Sequence, residues 1–217
     1  MPTDRARRTT VDACGRSQQH LVDQIAGLGD IDIARPSLLA GWTVGHVLTH
    51  LARNADAFTT MLRAAGAGRV AAMYPGGHDG RDADIESGAR RDAASIIADV
   101  TSSGRALQAE MTTATPGAWE GHGIGLRGTP IPCAAIPASR WREVEVHHSD
   151  LGLGYNPAQW PDAFVEAELP GALQALPGRL TSPQGRAAVL GWLWGRAAAP
   201  DPSELGAWEP SRPLRQP

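Results

Sequence analysis

Four side chains in this sequence have the types and spacing to hold a cation. Glu143, His147 and Asp150 stand at i, i+4 and i+7 within Ser139-Arg-Trp-Arg-Glu-Val-Glu-Val-His-His-Ser-Asp150. At roughly 100° per residue, a helix puts all three on one face, Glu143 and Asp150 within about 60° of His147, with Arg142 and Glu145 turned away. A carboxylate and an imidazole one turn apart can share a metal ion, although such pairs also arise by chance on solvated faces. A third ligand must come from elsewhere, and His50, at the end of Thr43-Val-Gly-His-Val-Leu-Thr-His50, is the best source. Two imidazoles and one carboxylate leave a coordination position open, as catalytic rather than structural zinc sites do; iron accepts the same set.

Such ligands need two helices that face each other. After Thr43, which can cap a helix, Val44, Val47, Leu48, Leu51, Ala55, Phe58, Leu62 and Ala65 recur at helical spacing. This predicts a helix with His50 at the edge of its apolar stripe and His46 on the surface. The Ser139 helix is expected to take Ser139 as its cap, with Pro137 stopping what precedes it and Gly152 and Gly154 ending it. A looser stripe predicts a first helix from Thr9 to Leu28. Arg69 to Asp84 reads as a glycine-rich loop, Ile85 to Met111 as one helix, and Trp119 to Pro137 as irregular connection. Pro161 to Leu176 reads as a helix interrupted at Pro170, Ser182-Pro183 opens another reaching Arg196, and a proline-rich tail follows Pro200. Long helical patterns separated by loops argue for a mainly α protein built as a helix bundle, in which ligands from facing helices meet in the core. Gly123-Ile-Gly-Leu-Arg-Gly128 satisfies G-x-G-x-x-G literally, but no strand is apparent before it and no helix after it, so a dinucleotide fingerprint is rejected.

Composition narrows the classes further. The 217 residues are 42% hydrophobic with a net charge of -3, enough chain for a real core and no basic excess for general nucleic-acid binding. Cys14 and Cys133 form no C-x-x-C pattern, so neither a disulfide framework nor a cysteine zinc site is indicated, and a cytoplasmic location fits. Neither a signal peptide's apolar run nor a membrane span is present in the sequence.

Gly41-Trp-Thr-Val-Gly-His-Val-Leu-Thr-His-Leu-Ala-Arg-Asn-Ala-Asp56, Met73-Tyr-Pro75, Asp84-Ile-Glu86 and Arg142-Glu-Val-Glu-Val-His-His-Ser-Asp-Leu-Gly-Leu-Gly-Tyr155 resemble the mycothiol-dependent maleylpyruvate isomerases, a branch of the DinB-like four-helix metal proteins. The resemblance implies a DinB-like four-helix bundle over residues 1–157 and a small C-terminal α(/β) region over 158–217. That region is expected to be reduced, because only Pro177-Gly-Arg-Leu-Thr-Ser182 stands where members carry β-strands. The resemblance also implies Zn2+, or another divalent metal, on His50, Glu143 and His147, with His148 a bystander. Mycothiol is the implied thiol cofactor, since neither cysteine lies in a site motif. The implied reaction converts maleylpyruvate to fumarylpyruvate in gentisate breakdown: the thiolate adds to the cis double bond, the skeleton rotates, and the thiolate is expelled. A cation should bind a substrate carboxylate. Arg196 ends Gly191-Trp-Leu-Trp-Gly-Arg196, which looks like the family's C-terminal signature, although an arginine in a last helical turn also serves the helix dipole. Arg81 is the other candidate, assigned to the cofactor. Asp150 can orient a ligand histidine or a water, or pair with an arginine. Two alternatives stay open: a mycothiol S-transferase acting on another electrophile, and a non-catalytic metal-stabilised module that binds a protein partner.

Overall fold

The computed structural model describes residues 3–180 and 182–200 and divides after Gln159 into two compact units. In chain order the first unit holds α1 (Asp4–Ile25), the short α2 (Asp30–Ile33), α3 (Val44–Gly66), α4 (Gly77–Gly88), α5 (Ala93–Thr113), the short α6 (Pro116–Glu120), the strands β1 (His122–Ile124) and β2 (Pro130–Pro132), and α7 (Ile136–Asp150). The four long helices close a ring, α1 packing on α5 and α7, and α3 on the same two. Leu21 and Ile25, Val47, Leu48 and Leu51, Ile96 and Val100, and Val144 meet in the core from the four sides. This is the helix bundle expected from the periodicity.

The α3 stripe explains why that helix forms and how it is turned. All eight positions of the predicted stripe, from Val44 to Ala65, are buried, each large side chain contributing about 1.5–3 kcal/mol. Thr43 caps the helix by accepting from the His46 N–H. His46 departs from expectation: it is half-buried, with Nδ1 2.7 Å from Thr43 Oγ1 and Nε2 3.1 Å from the Glu86 carboxylate. It therefore belongs to the cap rather than to the open surface.

Helix α7 starts at Ile136, not at Ser139. The Cys133–Ala135 3-10 turn runs straight into it, and Pro137 occupies the first turn, where its missing N–H costs nothing. Its end falls where expected, with Gly152 at φ 68° in the left-handed region that stops a helix.

Between Arg69 and Met111 the expected loop and single helix are replaced by two helices. Asp92 accepts from the Ser95 N–H at 2.8 Å and begins α5, while α4 forms despite four glycines within Gly76–Gly88. Burial of Arg81 and Ile85 on its inner side offsets its poor intrinsic propensity.

The expected irregular connection contains an antiparallel ribbon pairing His122 with Pro132, Gly123 with Ile131 and Ile124 with Pro130. Gly123 is required there, because a Cβ would lie 2.4 Å from Met61 Cε and 3.0 Å from the Ala71 carbonyl oxygen. A strand rather than a helix follows Gly128, so the glycine triplet closes a hairpin instead of cradling a phosphate.

Two buried polar networks bind α7 to its neighbours. Arg140, 1% exposed, donates from Nη1 to the Leu51 carbonyl and Asn54 Oδ1 and from Nη2 to Gln18 Oε1, each at 2.8 Å. Glu145 accepts from the Ser17 and Tyr155 hydroxyls and from Trp141 Nε1 at 3.3 Å.

The second unit contains α8 (Asp162–Arg179) and α9 (Pro183–Leu193), with no strand among its described residues. Pro170 and Pro177 lie inside α8, and Ser182 caps α9 through the Gly185 N–H. The expected helix to Arg196 stops at Leu193, and the expected proline-rich tail lies, from Asp201 on, outside the described residues. Among the described residues, no helix is long and apolar enough to cross a membrane.

Candidate metal centre

His50 projects toward α7 from the seventh position after the cap residue Thr43, on the second turn of α3, and on α7 Glu143 and His147 lie one turn apart. One ligand atom from each of the three gathers within 4.8 Å of the others. His50 Nε2 lies 2.9 Å from Glu143 Oε2, and His147 Nε2 lies 3.5 Å from the same oxygen. These distances bracket the roughly 3.3 Å edge of a tetrahedron with ~2.0–2.1 Å bonds. The two imidazole rings meet edge-to-face with centroids 4.7 Å apart. Glu143 is the ligand candidate that reaches solvent, at 13% side-chain exposure against 5% for His50 and 0% for His147.

The surroundings set the protonation of these groups. Burial pushes the His50 pKa down to about 4, against the opposing hydrogen bond to Glu143, so His50 is neutral at pH 7. Arg81 Nη2 lies 3.4 Å from His50 Nδ1, and His50 Nε2 faces Glu143. Burial also disfavours a charged His147, but the Asp150 and Glu143 carboxylates outweigh it and raise its pKa to about 9. Glu143 is held well below the usual carboxylate range because the hydrogen bonds from His147 and His50 overcome its burial. Without metal the three groups are therefore a carboxylate, an imidazolium and a neutral imidazole.

Asp150 stands 2.8 Å from His147 Nδ1. A carboxylate on the far nitrogen orients a ligand imidazole and raises its basicity, so the donor set fits a divalent ion. Among the partners that the sequence allows Asp150, the structure sets its carboxylate against His147. Arg81, 5% exposed, adjoins the same site and also donates to Asp82 at 2.8 Å. Arg196 belongs to the second unit, where it is exposed and follows the end of α9, its N–H donating to the Gly191 carbonyl at 2.7 Å. His148 turns away from the ligands to bond Gln24 and stack on Tyr155. Both cysteines are buried and unpaired; burial raises the Cys14 thiol to about 12 and also raises Cys133, so neither is a ready thiolate.

Two neighbours of the site went without a role in the sequence reading. Trp42, 2% exposed, has its ring 5.7 Å from that of His50, and Tyr74 lies against Arg81 with 6.0 Å from Cζ to the ring centroid. Both sit in the motifs quoted above, but an aromatic ahead of a helix cap reads as ordinary core.

The geometry has counterparts among known proteins. Residues 14–152 match the family described as "Mycothiol maleylpyruvate isomerase N-terminal domain". No curated protein sequence matches the chain significantly. Among solved structures, the crystal structure of the mycothiol-dependent maleylpyruvate isomerase aligns with a TM-score of 0.73 at 22% identity, covering 85% of this chain and 73% of that one. A histidine-to-alanine mutant described under the same enzyme name aligns with a TM-score of 0.70 at 22% identity, covering 76% and 67%. At that identity the structural likeness is one of fold. The family match spans more than half of the chain, and it takes in α3, α7 and the three converging side chains: the chain belongs to the mycothiol maleylpyruvate isomerase N-terminal domain family, a family of isomerases.

Proposed function

We propose that this protein is a zinc- and mycothiol-dependent cis-trans isomerase that converts maleylpyruvate to fumarylpyruvate by reversible thiolate addition, a step of gentisate breakdown in the cytoplasm. The observation that carries the reading is the meeting of His50 Nε2, Glu143 Oε2 and His147 Nε2 from two helices, within a chain of this isomerase family. Residues 1–157 serve as the metal-binding bundle and 158–217 as a small C-terminal region.

A divalent ion in this set supplies a Lewis acid that keeps a bound thiol in its thiolate form near neutral pH. The protein's own residues prepare for it. Asp150 retains the proton on His147 Nδ1, so that loss of the Nε2 proton aims a lone pair at the centre. Trp42 packs beside His50 and excludes water from that side. Arg81 brings a fixed positive charge to the rim of the site, suited to an anionic cofactor or substrate. Arg196 is assigned a substrate carboxylate on its sequence signature.

The isomerase reading is tested by adding maleylpyruvate to the metal-loaded protein with mycothiol and following both product and free thiol. Catalytic turnover with the thiol unconsumed is expected; consumption of one thiol per product identifies an S-transferase instead.

The charge state predicts a further result. With the His147 pKa near 9, its Nε2 proton must leave before the nitrogen can ligate. Zinc uptake at pH 7 without thiol should release about one proton per ion through this residue, the release shrinking as pH rises through about 9. Calorimetry in buffers of different ionisation enthalpy measures it, and zero release at pH 7 would remove His147 from the ligand set.

A further inference from the structure

Beside the candidate ligands lie two buried donors that no residue of the described structure answers. Tyr74 stands between α3 and α4, and its position is set by backbone. The Met73 N–H donates to the Ile124 carbonyl at 2.7 Å and the Gly77 N–H to the Tyr74 carbonyl at 2.9 Å. The ribbon made by the glycine triplet thus holds this tyrosine in place. Its hydroxyl is buried without a hydrogen-bond partner. The indole N–H of Trp42 is buried and unpartnered as well. Both rings flank one guanidinium, Arg81 Cζ lying 6.0 Å from the Tyr74 centroid and 5.9 Å from that of Trp42. Arg81 in turn reaches His50, so the group adjoins the candidate metal centre.

A buried hydroxyl or N–H with no acceptor lowers stability, so native proteins keep few of them, and each calls for a reason. Here both orphaned groups belong to rings that lie against one largely buried cation, and all three can donate. The hydroxyl and the indole N–H lack an acceptor, and the guanidinium beside them, bonded to Asp82 through Nη1 at 2.8 Å, favours an acceptor that carries negative charge.

We infer that Tyr74, with Arg81 and Trp42, forms an oxyanion subsite beside the metal centre that takes a carboxylate group of the substrate. The hydroxyl donates to one carboxylate oxygen, and the guanidinium supplies the countercharge. Burial keeps the Tyr74 phenol protonated, with its pKa pushed up to about 12, as a donor requires. The identity of the ligand as a substrate carboxylate rests on the isomerase reading; the subsite itself rests on the donors.

The test replaces one atom. Tyr74→Phe deletes the hydroxyl and leaves the ring. Succinate, a dicarboxylate without a double bond to isomerise, serves as probe, titrated by tryptophan fluorescence into metal-loaded and chelator-stripped protein, with metal content measured alongside. Wild-type protein is expected to bind succinate, and Tyr74→Phe to weaken it about tenfold, the range of a hydrogen bond to a charged group. KM for maleylpyruvate should rise by a similar factor with kcat little changed. Metal content should stay intact, and Tm should hold or rise because an unsatisfied group has been removed. An unchanged succinate Kd, absence of succinate binding by the wild type, or a lowered Tm with no change in Kd overturns the subsite. Succinate binding that depends on Tyr74 in a protein that takes up no metal keeps the subsite and sinks the metal reading instead.

Discussion

His50→Ala is expected, on the metal-dependent proposal, to yield a folded protein that holds no metal and has lost isomerase activity by about three orders of magnitude or more. The loss is on the order of the several kcal/mol of charge stabilisation that a Lewis acid contributes to a transition state. The remaining candidates, Glu143 and His147, sit one turn apart on α7, and α3 then offers no side chain in place of the imidazole. His46 does not substitute, because both its ring nitrogens are engaged by Thr43 and Glu86. The bundle itself survives, since the apolar stripe of α3 is untouched. Elemental analysis of the purified variant and a spectrophotometric assay with mycothiol measure the two effects, and circular dichroism checks the fold. Activity retained at an empty site would exclude metal-dependent catalysis.

Arg140→Ala is expected to have the largest effect on stability, a loss of about 3–5 kcal/mol. Its guanidinium is buried and bridges three helices, donating to Gln18 on α1 and to Leu51 and Asn54 on α3. Truncation leaves two side-chain carbonyls buried without their donor, at about 1–3 kcal/mol each, and removes a large packed side chain. For a chain of this length each kcal/mol lowers Tm by about 2–4 °C, so a fall of roughly ten degrees is expected in a thermal melt. The triple change Arg140→Met, Gln18→Leu and Asn54→Leu removes acceptors together with donor and should recover much of the loss. A drop below about 1 kcal/mol for Arg140→Ala would mean the network carries little of the stability. Because Leu51 follows His50 and Arg140 stands three residues before Glu143, the same strut also sets the spacing of the two helices at the candidate metal centre.

How far the sequence alone could be read depends on the range over which each feature is determined. The α3 stripe, the Thr43 cap and the Gly152 stop are properties of a few neighbouring residues, and each follows from helical spacing, one hydroxyl or one positive φ. The shared face of Glu143, His147 and Asp150 is local in the same sense. Their meeting with His50 is not: it requires α3 and α7 to pack side by side at one register, and no count along the chain contains that distance.

Where the reading failed, tertiary burial overrode a local signal. Helix α4 is rich in glycine yet forms because Arg81 and Ile85 are covered, and the break at Asp92 was hidden by a continuous run of helix-forming residues on either side. Arg140 and Glu145 are charged, a type seldom buried; only their partners elsewhere in the chain, Gln18, Asn54, Ser17 and Tyr155, make their burial possible. By itself, then, the sequence determined the helices and the face that carries the candidate ligands, because hydrogen bonding and apolar periodicity act within a turn or two. Only the tertiary structure decided which polar side chains are buried, which donors stand unanswered beside the site and how closely the three ligand atoms approach, because those depend on packing between segments distant in the chain.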